Sequence, residues 1–399
     1  MSHKNLRIAL LPDSGSHWIA GVLYVQAVSQ ALSTVPKSKR PETHLLIREN
    51  LDGTHYTTLR ESVTSTQVFN YSSKLTRLER FKKKIRPFLK KGPSLIHIED
   101  SLRKTQADLL FPCGRSLGAK FCLPWIGWIP DFQHKHLPEL FSAEELQTRD
   151  QEFQLLIDEA AHIVVSSQDA YNDLLHYFQA PPEKVSVFPF RTHADPDWFT
   201  GSPLQTAEKY KLPEKFLMFP SQFWQHKNHL TLLQAIALMN EHGDENICLV
   251  LTGKDQDYRK PEHPKILKRY IADHGLETNI RYLGLLPRQD QIHLMRRACA
   301  IVQPSHFEGW SMLVEDCRTL GKTTFLSDIP VHREQAYERA HYFDPKSAES
   351  LAQLLADHWS SLAAGPNLKA ELQAQEENHS LTQDCGRQLM DIFRKTLAK

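Results

Sequence analysis

The stretch from Ala300 to Leu326 constrains the fold of this chain more than any other. Ala300-Ile-Val-Gln-Pro304 reads as a buried strand, and Met312 to Leu320 as a short helix. Ser311 suits the N-cap of that helix, and Gly321 the left-handed residue that ends it. A second apolar strand, Thr323-Thr-Phe-Leu326, follows at once. Strand, loop, helix and strand in this order make a parallel α/β unit.

The loop inside that unit carries chemistry. Gly309 lets the backbone approach a ligand closely, and a helix N-terminus offers unpaired N–H groups with partial positive charge. That pairing suits a phosphate. Glu308 lies in the loop and Glu315 about one turn into the helix, so both carboxylates could face one cleft at different depths. On residue chemistry alone a second reading stands equal, with Glu315 a solvated helix residue and Gly309 a simple turn.

Phe307-Glu-Gly-Trp-Ser-Met-Leu-Val-Glu-Asp316, then Gly321-Lys322 and Leu326-Ser-Asp-Ile-Pro-Val-His-Arg-Glu334, resemble the donor region of family-4 retaining glycosyltransferases. The resemblance implies an α/β chain of the GT-B fold, two Rossmann-like domains facing across a cleft. It also implies that Glu315 holds the nucleotide ribose. Glu308, Gly309, Trp310 and Ser311 would lie against the donor sugar and its diphosphate. The family places seven residues between the two glutamates and this chain has six; the short Glu-Gly-Trp-Ser form resembles a bacterial subgroup.

At 399 residues the chain fits two domains. A formal net charge of +1 argues against a protein-wide nucleic-acid surface, so no nucleic-acid partner is expected. Six cysteines are scattered without metal-ligand spacing, a reduced, cytoplasmic pattern. No signal-peptide core opens the sequence, and no apolar run nears the roughly 18 residues of a membrane span.

Leu6 to Pro12 reads as the first strand, and Asp13 to Gly21 as a glycine-bearing loop before a helix ending near Leu32. The resemblance turns that loop toward the donor phosphate and the acceptor, with Gly15, His17 and Gly21 as candidates. Thr43–Ile47, Leu95–Ile98 and Phe121–Ile129 read as further strands, with polar, poorly periodic sequence after Ile47. Lys74 to Lys91 holds nine Lys or Arg against one Glu, interleaved with apolar residues at roughly helical spacing. It is read either as a surface helix packed on its domain or as a peripheral dock on the anionic inner face of a membrane. Asp131 and His134 follow an apolar strand, where open α/β sheets bind ligands. In the resembled subgroup this Pro-Asp-Phe-Gln-His loop lines the cleft near the donor sugar; the plainer reading is an Asp turn with an incidental His.

Ile163–Ser167 reads as another strand, and 192–211, rich in Asp, Pro, Gly and Thr, as an interdomain linker. The pattern then restarts with strand Phe216–Pro220, loop 221–229 and a helix over 230–239. Lys227 suits a phosphate contact. The family usually pairs such a Lys with an Arg a few residues earlier, and Gln222 stands there instead. Loops at Gly253 and Leu286 would receive the base and ribose. The expected organisation is 1–195 for the acceptor, 210–380 for the nucleotide sugar, and 381–399 as a helix returning to the first domain.

The implied activity is retaining transfer of a hexose-type sugar from a nucleotide diphosphate to a glycan, lipid-linked or small-molecule acceptor. Glu308, Lys227, His134 and Asp131 are its catalytic candidates. The donor is a substrate, so no cofactor and no metal are expected. The alternatives are another activity on this fold, a sugar-nucleotide epimerase or a phosphorylase, or a silent glycan-binding protein.

Overall fold

The computed structural model describes residues 5–12, 19–49, 56–69, 93–241 and 247–398. The basic stretch 74–91, Gly15 and His17 lie outside them. The chain forms two compact units, 1–130 with 144–193 and 380–399, and 131–143 with 194–379. Their borders differ from the expected ones, because 131–143 groups with the second unit and 194–209 belongs to it as well.

The first unit holds a seven-stranded parallel sheet. Its strands are β1 (Arg7–Leu10), β2 (Glu42–Arg48), β3 (Ser65–Phe69), β4 (Leu109–Cys113), β5 (Trp125–Ile129), β6 (His162–Val165) and β7 (Val185–Val187). They run in the order β3-β2-β1-β4-β5-β6-β7. The central strands β1, β4, β5 and β6 are apolar and buried along most of their length, as a parallel sheet requires. At the centre Tyr24, from the helix Ile19–Ser33, stacks on Trp128 at 3.9 Å between ring centroids.

Two expectations fail in this unit, and strands β3 and β4 were not foreseen. Leu95–Ile98 is not a strand but part of the helix Pro93–Thr105, whose buried side is Ile98, Ser101, Leu102 and Thr105. A four-residue apolar run looks alike in either element, and only the longer i, i+4 spacing separates them. Gly21, expected in a loop, sits inside the first helix. Strand β4 was hidden because Pro112 argues against a central strand; the proline lies where the register with β5 shifts, between Leu110 and Cys113.

The second unit repeats the plan with six parallel strands: β8 (Leu217–Pro220), β9 (Leu249–Thr252), β10 (Ile280–Tyr282), β11 (Ala300–Gln303), β12 (Thr324–Ser327) and β13 (Ala340–Phe343). Their order is β10-β9-β8-β11-β12-β13. The chain builds outward from β8 to β10, then returns to build the other side from β11. The switch point therefore lies between β8 and β11, and open α/β sheets bind ligands at the carboxyl ends of the strands there.

The expected linker is largely structured and part of this core. Pro196–Phe199 forms a short 3-10 turn and Pro203–Lys209 a helix, capped by the Ser202 hydroxyl accepting from the Gln205 amide. Trp198 and Ala207 pack in one face of the unit with Phe216, Met218 and Ile301. The last helix, Leu368–Leu397, starts in the second unit, and its residues from 380 on belong to the first. Among the described residues no helix is long and apolar enough to cross a membrane.

Candidate active site

The loop after β8 and the loop after β11 meet at the switch point, and backbone bonds fix how they meet. Asn228 adopts a left-handed conformation at φ +58°, and its side-chain amide donates to the carbonyls of Pro304 and Pro345, each at 2.9 Å. The His306 amide donates to the His226 carbonyl at 2.8 Å. Ser327, at the end of β12, donates to the Ser305 carbonyl at 2.6 Å.

This frame brings Lys227 and Glu308 together. The Lys227 ammonium donates to Glu308 Oε1 at 2.7 Å, with side chains 20% and 9% exposed. Burial alone would raise the Glu308 carboxyl. The Lys227 charge and hydrogen bond, with His332, outweigh it and hold the group below the usual carboxylate range. Beneath the loop, His332 is fully buried and its Nδ1 lies 2.9 Å from the Ser327 carbonyl. Burial pushes its pKa down to about 4, so the ring is neutral near pH 7.

The helix Met312–Thr319 begins as its sequence predicts. The Ser311 hydroxyl accepts from the Val314 amide at 3.3 Å, and Gly321 takes φ +58° beyond the helix end. Two glutamines grip this turn. Gln303, the last residue of β11, donates to Glu308 Oε1 at 2.9 Å and accepts from the Ser311 hydroxyl at 2.8 Å. Gln335 accepts from the Ser311 amide and donates to the Ser311 carbonyl, each at 2.9 Å. Gly309 and Trp310, beside this turn, are half-buried.

Glu315 behaves differently from the expectation. Its side chain exposes no surface; Oε1 accepts from Gln335 at 2.8 Å, and Oε2 lies 3.6 Å from the Arg318 guanidinium. The neighbouring Asp316 is buried as well, at 3% exposure. Asp316 stands seven intervening residues after Glu308, the family's usual spacing. Its Oδ2 accepts from Arg288 at 2.7 Å, and that guanidinium sits 4.8 Å over the Trp198 ring. Arg288 opens the helix after β10 whereas Gln335 follows β12, so the two neighbouring carboxylates meet different elements.

Gly253 opens the loop after β9, and Leu286 closes the loop between β10 and the helix that starts at Arg288. Gly253 has φ +111°, and a Cβ there would stand 2.4 Å from the Ser221 carbonyl, so only glycine fits between the loops. Tyr282 closes the arrangement by donating to the Gly253 carbonyl at 2.8 Å. Gln222 is exposed in the β8 loop, and Leu286 is half-buried against the apolar core.

Asp131 and His134 lie in the segment 131–143, which belongs to the second unit with the Lys227–Glu308 pair. Asp131 accepts from the Gln133 amide at 3.0 Å, the plain turn allowed by its sequence. His134 is 1% exposed, its ring packed near Phe132 and Phe141. His136, in the same segment, meets the Glu308 loop at 5.1 Å from the Phe307 ring. Gln133 accepts from Arg259 at 2.8 Å, which holds the segment to the loop after β9. Gln303, Gln335 and Asp316 escaped the sequence reading. Gln303 left one signal, a polar residue closing an apolar strand.

Residues 205–362 match the family model of "Glycosyl transferases group 1". The "O-antigen chain mannosyltransferase B" of Escherichia coli is 24% identical over 250 residues, 60% of this chain and 64% of the relative. A "D-inositol 3-phosphate glycosyltransferase" of Corynebacterium glutamicum (strain R) is 24% identical over 184 residues, 44% of this chain and 43% of the relative. The matches thus span less than two thirds of these relatives. Among solved structures, HepE of Anabaena in complex with UDP and glucose superposes with a TM-score of 0.70 at 16% identity, covering 98% of this chain and all of that one. Sucrose-phosphate synthase from Thermosynechococcus elongatus gives 0.68 at 13% identity, covering 99% and 100%. The second unit thus carries a stretch similar to group 1 glycosyl transferases, on a chain whose two parallel sheets have the GT-B fold.

Proposed function

We propose that the protein is a retaining glycosyltransferase that moves a hexose-type sugar from a nucleotide-diphosphate donor to a glycan, lipid-linked or small-molecule acceptor. The observation that carries this is the Lys227–Glu308 pair at the switch point of the second sheet, inside the stretch matching the group 1 glycosyltransferases. The named activities of the relatives, mannosyl transfer to an O-antigen chain and glycosyl transfer to inositol 3-phosphate, support sugar transfer and leave the sugar open.

In this reading the second unit binds the donor and the first the acceptor. Lys227 and the helix N-terminus at Ser311 stabilise the negative charge that grows on the departing diphosphate. Glu308, Gly309 and Trp310 lie against the donor sugar, and the loops of Gly253 and Leu286 receive the base. The ribose contact falls to Glu315 or Asp316; both are buried, and spacing from Glu308 rather than exposure favours Asp316. The bond from the anomeric carbon to the diphosphate oxygen breaks, and its electron pair leaves with the diphosphate. The acceptor hydroxyl attacks on the same face and passes its proton to the departing oxygen.

A thermal-shift screen over UDP-, GDP-, ADP- and dTDP-sugars, followed by nucleotide-release assays, tests the reading. One donor class is expected to stabilise the protein by about 2.7 kcal/mol at 100 times its Kd. That donor should release its nucleotide in the presence of acceptor, with EDTA making no difference. Binding without release would instead indicate a glycan- or nucleotide-binding protein.

A further inference from the structure

Gln303 occupies an unusual place for an amide. It ends a strand whose other residues are Ala300, Ile301 and Val302, and it is 2% exposed. A buried amide costs free energy unless its groups are bonded, and here both ends are engaged. An ionised carboxylate only accepts, so the Gln303 NH2 must face Glu308 and its carbonyl must face Ser311. The Ser311 hydroxyl then spends its single proton on Gln303 and uses a lone pair to cap the helix at Val314. The result is a continuous chain of bonds from the helix N-terminus through Ser311, Gln303 and Glu308 to Lys227.

We propose that Gln303 is a positioning residue that acts through Glu308 and Ser311 to hold the Lys227 ammonium and the helix N-terminus in one fixed frame. The inference rests on the reading of Lys227, Glu308 and Ser311 as the donor site. Lys227 is a flexible point charge, and one fixed carboxylate oxygen sets where it stands. Gln303 fixes that oxygen. Gln335 has a separate task, since it grips the backbone of Ser311 and the side chain of Glu315 rather than that of Glu308.

The first test needs no donor. In protein labelled with 13C in its glutamate carboxyl groups, the Glu308 signal is assigned by its loss in Glu308→Gln and titrated with and without Gln303→Leu. Loss of the amide donor should raise the Glu308 midpoint by about one pH unit, a tenfold gain in proton affinity. An unchanged midpoint would overturn the proposal.

The second test is nucleotide release across the same four classes of donor sugar. Gln303→Leu should lower kcat about 10-fold with KM within about 2-fold, because the frame matters most where charge develops. In a Glu308→Gln background the same change should cost nothing further. Additive losses would make Gln303 merely structural and sink the idea. Glu308→Gln with wild-type release would show instead that the donor-site reading has failed. Should Gln303→Leu fail to fold, Gln303→Glu keeps the shape and sets a second carboxylate beside the first. Release should then fall as the shared proton is lost with rising pH; a pH profile identical to wild type would count against the inference.

Discussion

Glu308 and Glu315 stand seven residues apart, on either side of the Ser311 N-cap, and their surroundings diverge. Glu308 is partly open and tied to a lysine that can move, from a loop at the switch point of the sheet. Glu315 is closed off and tied to Gln335 and Arg318, which themselves bind backbone. In the proposed reading, the first arrangement leaves a charge pair that a diphosphate can enter and redistribute. The second fastens the helix to the β12 side of the unit. If the helix holds the donor at its N-terminus as proposed, it must itself be held, and on that account the two carboxylates divide these tasks.

The largest expected effect lies on the closed side. Glu315→Ala strips a buried carboxylate from the Gln335 amide and the Arg318 guanidinium, and breaking such a buried pair costs about 3–5 kcal/mol. Urea unfolding measures it directly. A loss below about 1 kcal/mol would mean that Glu315 is not the fastening described.

Next comes the open side. Lys227→Ala should lower turnover by about 10²- to 10³-fold, the scale of losing one donor to a developing oxyanion. Ground-state donor affinity should fall less. Equal losses in kcat and affinity would reduce Lys227 to an anchor.

A smaller effect separates the two sides by pH. His332, behind the Glu308 loop, has its folded pKa pushed down to about 4, below the ordinary 6.5 of an unfolded chain. Its stabilising contribution is complete above 6.5 and is lost as pH falls toward 4, because the unfolded chain takes the proton first. Full loss amounts to about 3 kcal/mol. Burial pushes His229 down to about 3, so it acts in the same direction. Chemical unfolding at pH 7, 5.5 and 4.5 should show the decline, and His332→Gln should flatten it. A stability profile flat over this range would contradict the buried neutral ring.

Much of the second unit was legible because its signals are local. Ser311, Gly321 and the apolar strands around them announce themselves within a few residues. Lys227 and Glu308 were legible one by one, and the resemblance placed them in one site. The burial of Glu315 was not legible, because it depends on Gln335, 20 residues on, and on the strand that carries it there. Asp316 was passed over because its partner, Arg288, lies across the fold. In the first unit, the Leu95–Ile98 run showed an apolar stretch without its period, and Pro112 masked a central strand. Sequence pattern speaks for the element a residue occupies, and much less for the neighbour it will meet.

The division between the two carboxylates is tested most directly by measuring unfolding free energy and nucleotide release in parallel for Glu308→Gln and Glu315→Gln. The account predicts that Glu308→Gln loses at least 10-fold in release while its stability stays within about 1 kcal/mol of wild type. Glu315→Gln, which keeps the shape but drops the charge facing Arg318, should lose stability by about 1–3 kcal/mol and keep near-normal release once folded. The reverse pattern, with release lost at Glu315 and stability lost at Glu308, would contradict it.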